Sequence, residues 1–339
     1  MLGISTTTVS NVINGKTSEV SQKTAEKVQK LLDEYDYRSN MNAKNLAQNH
    51  SRLIGIVLKR RKDKYENIFT DPFHGELLGA LESAIREQGY YMMIYISEDI
   101  EEIVRNIVGW NTEGLILIGM LHDDYLKIRS KYKKPAVLID SYTPKNIARY
   151  VNIGLDDEEG GYLMTKYLLD CGHRKIAFLA DNMEGVDYIR YTGHQRALQE
   201  YGLDIDLDNL IVIRPSKYER QGSMEEIYAV AHKFTAFMCC SDYYAVTLMK
   251  YLKAKGIRFP EDLSITGFDD NLYAQPSLTT IHQDIFTRGT IAAEYLFKMI
   301  DGWNPKTTNL SLPVRLVVRD SVKLLNPPED DSSDDGSAL

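Results

Sequence analysis

The string ISTTTVSNVING, residues 4–15, decides how the start of this chain is interpreted. Ser5 can accept a hydrogen bond from the first amides of a helix, and Val9, Val12 and Ile13 then share one apolar face. Uncharged threonine, serine and asparagine side chains occupy the other faces, and such groups reach base edges or phosphates from a recognition helix. Taken alone, the pattern favours an ordinary amphipathic surface helix.

A second predicted helix follows directly and strengthens the DNA-binding interpretation. Ser21 is its expected cap, and its core positions are Ala25, Val28, Leu31 and Leu32. The polar segment after it suits a hinge that leads away from a small helical module.

The charge of the chain is unevenly distributed. Residues 1–58 carry 7 Lys and Arg against 5 Asp and Glu, whereas residues 65–339 carry 28 against 42. A slightly basic start on an acidic body fits a nucleic-acid-binding module joined to another domain. The basic run at residues 59–64 is interpreted as a solvated loop rather than a phosphate contact.

The remainder of the chain alternates short apolar runs with amphipathic helical stretches. The runs predicted as buried strands are residues 54–58, 91–96, 115–118, 136–139, 176–179, 237–240 and 264–268. Such alternation predicts an α/β fold with parallel sheets covered by helices. Because nearly eight βα units exceed one comfortable open sheet, two doubly wound lobes are expected.

Cysteine usage and hydropathy exclude several classes of protein. Cys171, Cys239 and Cys240 form no spaced pairs, so we expect reduced, buried thiols. The sequence has no export signal and no apolar run of about 18 residues, which excludes a membrane span. The acidic residues at the end have nothing to bury and are predicted to be disordered.

Several motifs carry a resemblance to a known family. In the first part they are Gly3-Ile4-Ser5, Thr8-Val9-Ser10, Asn14-Gly15, Val20-Ser21, Asp36-Tyr37, Ala43-Lys44 and Ile54-Gly55. In the body they are Asp71-Pro72-Phe73, Gly172-His173-Arg174-Lys175-Ile176, Arg190-x-x-Gly193, Ser241-Asp242, Pro260-Glu261-Asp262-Leu263-Ser264-Ile265 and Gly267-Phe268-Asp269-Asp270. With these motifs, all but the acidic tail resembles the lac repressor/gal repressor (LacI/GalR) family of bacterial transcription regulators.

The resemblance implies three parts. An incomplete all-α helix-turn-helix headpiece with a hinge helix takes residues 1–50, and a disordered acidic tail takes residues 326–339. The effector-binding and dimerisation domain between them, residues 51–325, is α/β, with two doubly wound parallel-sheet lobes of the periplasmic-binding-protein-like type I. The first lobe takes about residues 51–152 plus 281–305, and the second about 153–280 plus 306–325.

The same resemblance implies which residues contact DNA. Thr6, Thr7 and Asn11 take the base-reading positions, whereas Thr8, Ser10 and Asn14 support the helix or touch phosphates. Ala43 and Leu46 belong to the hinge, where Leu46 takes the place of the leucine that wedges into the minor groove. Family members carry a first helix before the position of Met1. We therefore expect that the true start lies upstream or that the chain has been shortened. Without the first helix, the headpiece is expected to fold poorly and to bind operator weakly.

Candidate effector contacts follow strands or begin helices, where doubly wound folds bind ligands. They are Phe73, His74, Asp140, Arg190, Asp242 and Asp269. A guanidinium and carboxylates near an aromatic ring suit adjacent hydroxyl groups, so a carbohydrate effector is expected. A nucleobase would use the same groups, and a phosphorylated sugar would require a second cation that the sequence does not identify.

No catalytic or metal-binding motif points to an enzyme. The sequence has no nucleophile elbow, P-loop or dinucleotide-binding fingerprint, and its histidines lack ligand spacing, so we expect no cofactor and no metal. The leading hypothesis is a cytoplasmic, homodimeric repressor that binds operator DNA through the major groove with its recognition helix and the minor groove with its hinge helix. The alternative is a sugar-binding protein of the periplasmic type that lacks DNA-binding activity in this form.

Overall fold

The computed structural model describes residues 3–13, 17–37, 50–59, 68–141, 150–216, 218–274 and 276–325. The chain divides into two compact units, Met1–Arg52 and Leu53–Leu339. Asn14, Ala43, Leu46, most of the basic run and the acidic tail lie outside the described residues.

The described helices and strands have the following bounds. The helices are α1 (Thr6–Ile13), α2 (Gln22–Glu34), α3 (Pro72–Glu87), α4 (Ile100–Gly109), α5 (His122–Lys131), α6 (Asp157–Asp170), α7 (Gly185–Glu200), α8 (Arg220–Val230), α9 (Asp242–Ala254) and α10 (Ile285–Ile300). The strands are β1 (Leu53–Lys59), β2 (Tyr91–Ser97), β3 (Gly114–Ile118), β4 (Ala136–Ile139), β5 (Val151–Leu155), β6 (Ile176–Ala180), β7 (Leu210–Val212), β8 (Ala236–Cys239), β9 (Ser264–Thr266), β10 (Thr280–His282), β11 (Thr308–Leu312) and β12 (Arg315–Val317).

In the first unit, both predicted caps are confirmed. The amide of Thr8 donates to Oγ of Ser5 at 3.1 Å, and the amide of Thr24 donates to Oγ of Ser21 at 3.3 Å. Val12 is buried on α1, but on α2 only Val28 is fully buried among the four predicted core positions. The other three are half-buried.

The second unit begins with a six-stranded parallel sheet in the order β11-β5-β4-β3-β1-β2. Helices α3 and α10 contact each other and cover one face, whereas α4 and α5 cover the other. We call this sheet and its helices the first lobe. Its central strands are apolar on both faces because both faces are covered.

A second sheet, also parallel, has the order β7-β6-β8-β9, and the short antiparallel pair β10-β12 lies beside it. With α6, α7, α8 and α9 it forms the second lobe, which has its own buried core. The chain crosses between lobes after β5, after β10 and after β11. The predicted class, two doubly wound lobes of the periplasmic type behind a helical headpiece, is confirmed.

The strand pairing differs from the predicted lobe bounds most clearly at β11. β5 and β10 also straddle the bounds predicted at residues 152/153 and 280/281. β11 pairs in parallel with β5 and so belongs to the first lobe, although residues 306–325 were assigned to the second. Nδ2 of Asn152 donates to Oδ1 of Asn309 at 2.7 Å across this pair. The segment escaped the pattern search because its half-buried, alternating side chains lack the apolar run of a central strand.

All seven predicted strands are present, whereas β5, β7, β10, β11 and β12 were not predicted. Helices α3, α6, α7 and α9 are each followed by a glycine with positive φ, which ends the helix without a Cβ penalty, and these are Gly89, Gly172, Gly202 and Gly256. The three cysteines are free and buried. Among the described helices, none combines the length and hydropathy that crossing a bilayer requires.

Candidate effector cavity

A cavity of about 470 Å³ lies where the two lobes face each other. Its walls come from the carboxyl ends of strands and the first turns of helices, the usual ligand position in doubly wound folds. Five of the six predicted effector residues line it, namely Phe73, His74, Asp140, Arg190 and Asp269. A volume of this size accommodates a small organic molecule.

The sixth predicted residue, Asp242, does not reach the cavity. Its carboxylate is fully buried and accepts hydrogen bonds from Oγ1 of Thr280 at 2.6 Å and from the amide of Asn271 at 3.0 Å. Burial raises the pKa of Asp242 to about 7, against the lowering effect of these two hydrogen bonds. The structure therefore gives Asp242 a supporting position beneath the cavity wall.

Arg190 is the cation that the second lobe presents. Its Nε donates to Oδ1 of Asp157 at 2.8 Å, its Nη1 donates to the carbonyl of Cys240 at 2.6 Å, and its guanidinium lies 3.5 Å from the centre of the Phe268 ring. Burial alone would lower its pKa, but Asp157 and Asp269 raise it, so the group stays protonated. Within the described residues, Nη2 has no hydrogen-bond partner and is available to a ligand.

Two glycines explain how Arg190 reaches this position. A Cβ on Gly161 would lie 2.0 Å from the carbonyl oxygen of Arg190, and a Cβ on Gly193 would lie 1.9 Å from that of Glu158. Helices α6 and α7 therefore touch backbone to backbone, which brings Arg190 against Asp157 at the start of α6. The spacing Arg190-x-x-Gly193 in the sequence was the signal of this contact.

Asp269 follows β9 and is the acid that the second lobe presents. Its backbone has φ of 124°, a conformation unusual outside glycine, and its amide donates to the carbonyl of Ile281 at 2.8 Å. Nε2 of Gln283 donates to Oδ1 of Asp269. Burial raises the pKa of Asp269 well above its ordinary value, although Arg190 opposes the shift.

Asp140, at the end of β4, is the corresponding acid of the first lobe. Nη1 of Arg288 donates to both of its oxygens, at 2.8 and 3.0 Å. Burial raises the pKa of Asp140, and the Arg288 guanidinium is the main opposing influence. Because Nη1 contacts both oxygens, this pair fixes the direction of the carboxylate.

The aromatic side of the cavity is built at the start of α3. Asp71 caps this helix by accepting from the amide of Phe73 at 3.3 Å, and Nδ1 of His74 lies 2.6 Å from Oδ2 of Asp71. The rings of Phe73 and His74 meet edge to face with centres 5.1 Å apart. One capping residue thus orients both predicted aromatic side chains.

The predicted DNA-contacting residues that the structure describes lie on or beside α1. Thr6, Thr7 and Ser10 are exposed, and Thr8 is half-buried. Asn11 donates from Nδ2 to Oε2 of Glu19 at 2.8 Å, so this predicted base-reading amide has an intramolecular partner here. These assignments remain predictions.

Two family models match the chain. The model for bacterial regulatory proteins of the lacI family matches residues 2–40, and that for a periplasmic binding protein-like domain matches residues 165–322. The HTH-type transcriptional repressor PurR of Vibrio atlanticus (strain LGP32) is 32% identical over 338 residues, which cover 96% of this chain and 97% of that protein. The chain belongs to the LacI family of bacterial regulatory proteins.

Solved structures of LacI-family proteins agree in fold. The lac repressor dimer bound to operator and the anti-inducer ONPF is 25% identical with a TM-score of 0.78, and the match covers 95% of this chain and 96% of that chain. A complex of the transcriptional regulator CelR with cellobiose is 25% identical with a TM-score of 0.71, covering 94% and 97%. The predicted family is confirmed, and with it the prediction of a transcription regulator rather than an enzyme.

Several cavity residues of this LacI-family chain were missed by the sequence reasoning. They include Asp71, Asp187, Tyr244 and Gln283, together with Arg288 behind the wall. Asp71 was recognisable as a helix cap before Pro72, and the Asp71-Pro72-Phe73 motif had been noted. The others gave no local signal: Tyr244 and Arg288 bond to partners that are distant in sequence, and the bonds of Asp187 and Gln283 to residues five positions away follow no recognised motif. Among the described residues, no cluster of His, Cys, Asp and Glu side chains has the arrangement of a metal site.

Proposed function

We propose that this LacI-family regulator is a DNA-binding repressor controlled by a neutral, polyhydroxylated effector, a carbohydrate, held in the cavity. The observation that carries the proposal is the meeting of Arg190, Asp140 and Asp269 beside the Phe73 ring. Charged donors and acceptors fix the directions of hydroxyl groups, and an aromatic ring covers the apolar face of a sugar.

The charges around the cavity favour a neutral ligand over an anionic one. The two cations that line it are already paired, Lys59 with Asp124 at 2.5 Å and Arg190 with Asp157 at 2.8 Å. The carboxyl groups that line it are those of Asp71, Asp140, Glu184, Asp187 and Asp269. A phosphate would meet this acidic surface with no unpaired cation of the described part of the wall to receive it.

The sugar class can be tested by titration calorimetry with D-ribose, D-glucose and cellobiose, alongside purine and pyrimidine bases and sugar phosphates. We expect binding by a neutral sugar, and at 100 times its Kd the free energy of unfolding rises by about 2.7 kcal/mol. Binding of a base but no sugar would move the assignment to nucleobases. Binding of sugar phosphates alone would contradict the charge argument.

The residue assignment is tested best at Asp269. Asp269→Asn keeps the size of the side chain and replaces one of its acceptor oxygens by an amide donor, and we expect at least tenfold weaker sugar binding, about 1.4 kcal/mol. Arg196→Ala is the matched control, because Arg196 lies on α7 but pairs on the surface with Glu158 and Glu159. Arg190→Ala is less informative. It removes the ion-pair partner that Arg190 provides to the buried Asp157, and breaking a buried ion pair costs about 3–5 kcal/mol of stability.

For the headpiece, we propose that α1 reads operator bases in the major groove. Selection from a random duplex library, followed by fluorescence anisotropy at fixed salt, should yield a pseudo-palindrome. Thr7→Ala should then weaken binding to the selected site by about 1–3 kcal/mol if Thr7 contacts a base. Gln29→Ala, on α2, is the control, since Gln29 bonds to Asp33 on the same helix. Equal loss with both variants would contradict this role of α1.

We also propose a homodimer that acts in the cytoplasm, where chromosomal DNA is bound. A pseudo-palindromic operator calls for two-fold symmetry in the protein. Three buried free thiols suit a reducing compartment. Sedimentation equilibrium should give twice the mass of the chain, and a monomer at micromolar concentration would contradict the proposal.

A further inference from the structure

Arg288, on α10, lies behind the wall of the effector cavity and is completely buried. Its Nη1 holds both oxygens of Asp140, and its Nη2 donates to Oε1 of Gln283 at 2.6 Å. Its guanidinium lies 5.1 Å from the centre of the Phe73 ring. Arg288 itself does not line the cavity, so it can influence a ligand there only through its neighbours.

Gln283 gives this arginine a connection to the other lobe. The residue lies on the crossing between β10 and α10, and it is buried. Its Oε1 accepts from Arg288, whereas its Nε2 donates to Oδ1 of Asp269. One uncharged side chain therefore joins Arg288, which holds Asp140 of the first lobe, to Asp269 of the second through two successive hydrogen bonds.

Stability alone does not account for an arginine in this position. Burying a guanidinium loses its hydration, and replacing a buried ion pair by apolar side chains is often neutral or stabilising. Nε of Arg288 is also buried, with no hydrogen-bond partner among the described residues, which adds to the cost. What the arginine does supply is direction, since its planar fork fixes Asp140 and Gln283 at once.

We propose that Arg288 is a positioning residue for effector binding. With Gln283 as connector, it holds one acceptor from each lobe, Asp140 and Asp269, at the spacing that a bound effector spans. The proposal rests on the function proposed above for the cavity. It adds that Arg288, through Gln283, sets the distance between the two walls. Movement of the lobes that breaks the bond between Gln283 and Asp269 releases this spacing.

Arg288→Met tests the proposal, with Arg196→Met as the matched control. Calorimetry with D-ribose, D-glucose and cellobiose should give at least tenfold weaker binding for Arg288→Met and no change for the control. The loss of binding in Arg288→Met should grow as the pH falls from 8 to 6. Burial raises the pKa of Asp140, and without the opposing arginine this carboxyl group takes up a proton at higher pH. The other charged groups that face Asp140 are Asp157, Arg190 and His74, and these stay the same in both proteins.

A folded Arg288→Met protein that binds within twofold of the wild type, with the same pH profile, would overturn the proposal. Gln283→Leu is the second variant, because it keeps the pair of Arg288 with Asp140 and removes both hydrogen bonds of the connector, the one from Arg288 and the one to Asp269. It should also weaken binding at least tenfold, and the double variant should lose less than the product of the two losses. If Arg288→Met does not fold, unchanged binding by Gln283→Leu overturns the proposal.

Failure of the proposed effector class gives a different result. If the wild type binds none of the three sugars, that class is wrong, but Arg288 can still be tested without ligand. Asp140 then keeps its proton to higher pH in folded Arg288→Met, so this variant should lose more stability than the wild type between pH 6 and pH 8. Identical profiles in urea unfolding would overturn the positioning role.

Discussion

Each lobe contains a buried arginine paired with an aspartate and placed over a phenylalanine ring. The groups are Arg190, Asp157 and Phe268 in the second lobe, and Arg288, Asp140 and Phe73 in the first. In the second lobe the arginine faces the cavity, whereas in the first lobe the aspartate does. The same kind of cluster thus presents an arginine to the cavity from one wall and an aspartate from the other, depending only on which member of the pair lines the cavity.

The helices that carry these arginines also differ in how they pack. Helix α7, with Arg190, contacts α6 backbone to backbone at Gly193 and Gly161. Helix α10, with Arg288, contacts α3 mainly through side chains, and a Cβ on Gly289 would lie 2.9 Å from Cβ of Ala80. The second-lobe cluster therefore depends on backbone contact, and the first-lobe cluster has more room to adjust.

The largest expected effect comes from adding one methyl group at each contact. In Gly193→Ala the new Cβ would lie 1.9 Å from a backbone oxygen, so the helices must separate. We expect a loss of about 3 kcal/mol or more in the free energy of unfolding, together with weaker effector binding. In Gly289→Ala the overlap is smaller, and the gain in helix propensity of about 1 kcal/mol offsets part of it. Urea unfolding of both variants checks the order, and equal losses would contradict the contrast.

A smaller effect is expected at Asp242, a buried aspartate whose hydrogen-bond donors are a hydroxyl and an amide rather than an arginine. Asp140 pairs with Arg288, whereas Asp242 of the second lobe has only hydroxyl and amide donors, and burial raises its pKa to about 7. A folded-state pKa above the unfolded value means that stability is present at low pH and lost as pH rises through the folded value. Wild type should lose about 1 kcal/mol more than Asp242→Asn between pH 6 and pH 8. Parallel unfolding profiles would show that Asp242 is ionised throughout.

The smallest effect is expected at the edge of the cleft. The hydroxyl of Tyr273, in the second lobe, donates to the carbonyl of Thr70 in the first at 3.4 Å. This bond is long and exposed, so Tyr273→Phe should change effector affinity by less than about 0.5 kcal/mol. Calorimetry on this variant beside Gln283→Leu compares a surface link with a buried one. A tenfold loss in Tyr273→Phe would move the main connection between lobes to the surface.

Sequence reasoning recovered the fold where strands were long and apolar on both faces. It missed β10 and β12, which are three residues each, and β11, whose burial alternates, because short or half-buried strands give no continuous apolar run. It also missed β5, whose apolar run is interrupted by Asn152 and Gly154, and β7, which is apolar but only three residues long. The lobe to which β11 belongs depends on its pairing with β5, and pairing between distant segments leaves no trace in one sequence.

The site was recovered in proportion to its local signals. Phe73, His74 and Asp140 follow strands or begin a helix, and Arg190 and Asp269 belong to recognisable motifs, so all five could be named in advance. Asp242 has the same local pattern, but its carboxylate turns to Thr280, and the sequence cannot show which way a side chain turns. Arg288 could not be predicted, since it lies in an apolar helix and its partner is 148 residues away.

The uncharged connector Gln283 has a consequence for how ionic strength acts on the regulator. Buried groups such as Arg288 are screened little by salt, whereas contacts with DNA phosphates weaken steeply as salt rises. Effector affinity and its transmission between the lobes should therefore stay nearly constant over a salt range in which operator affinity falls by orders of magnitude. Salt concentration should then change operator affinity alone, while effector affinity stays the same.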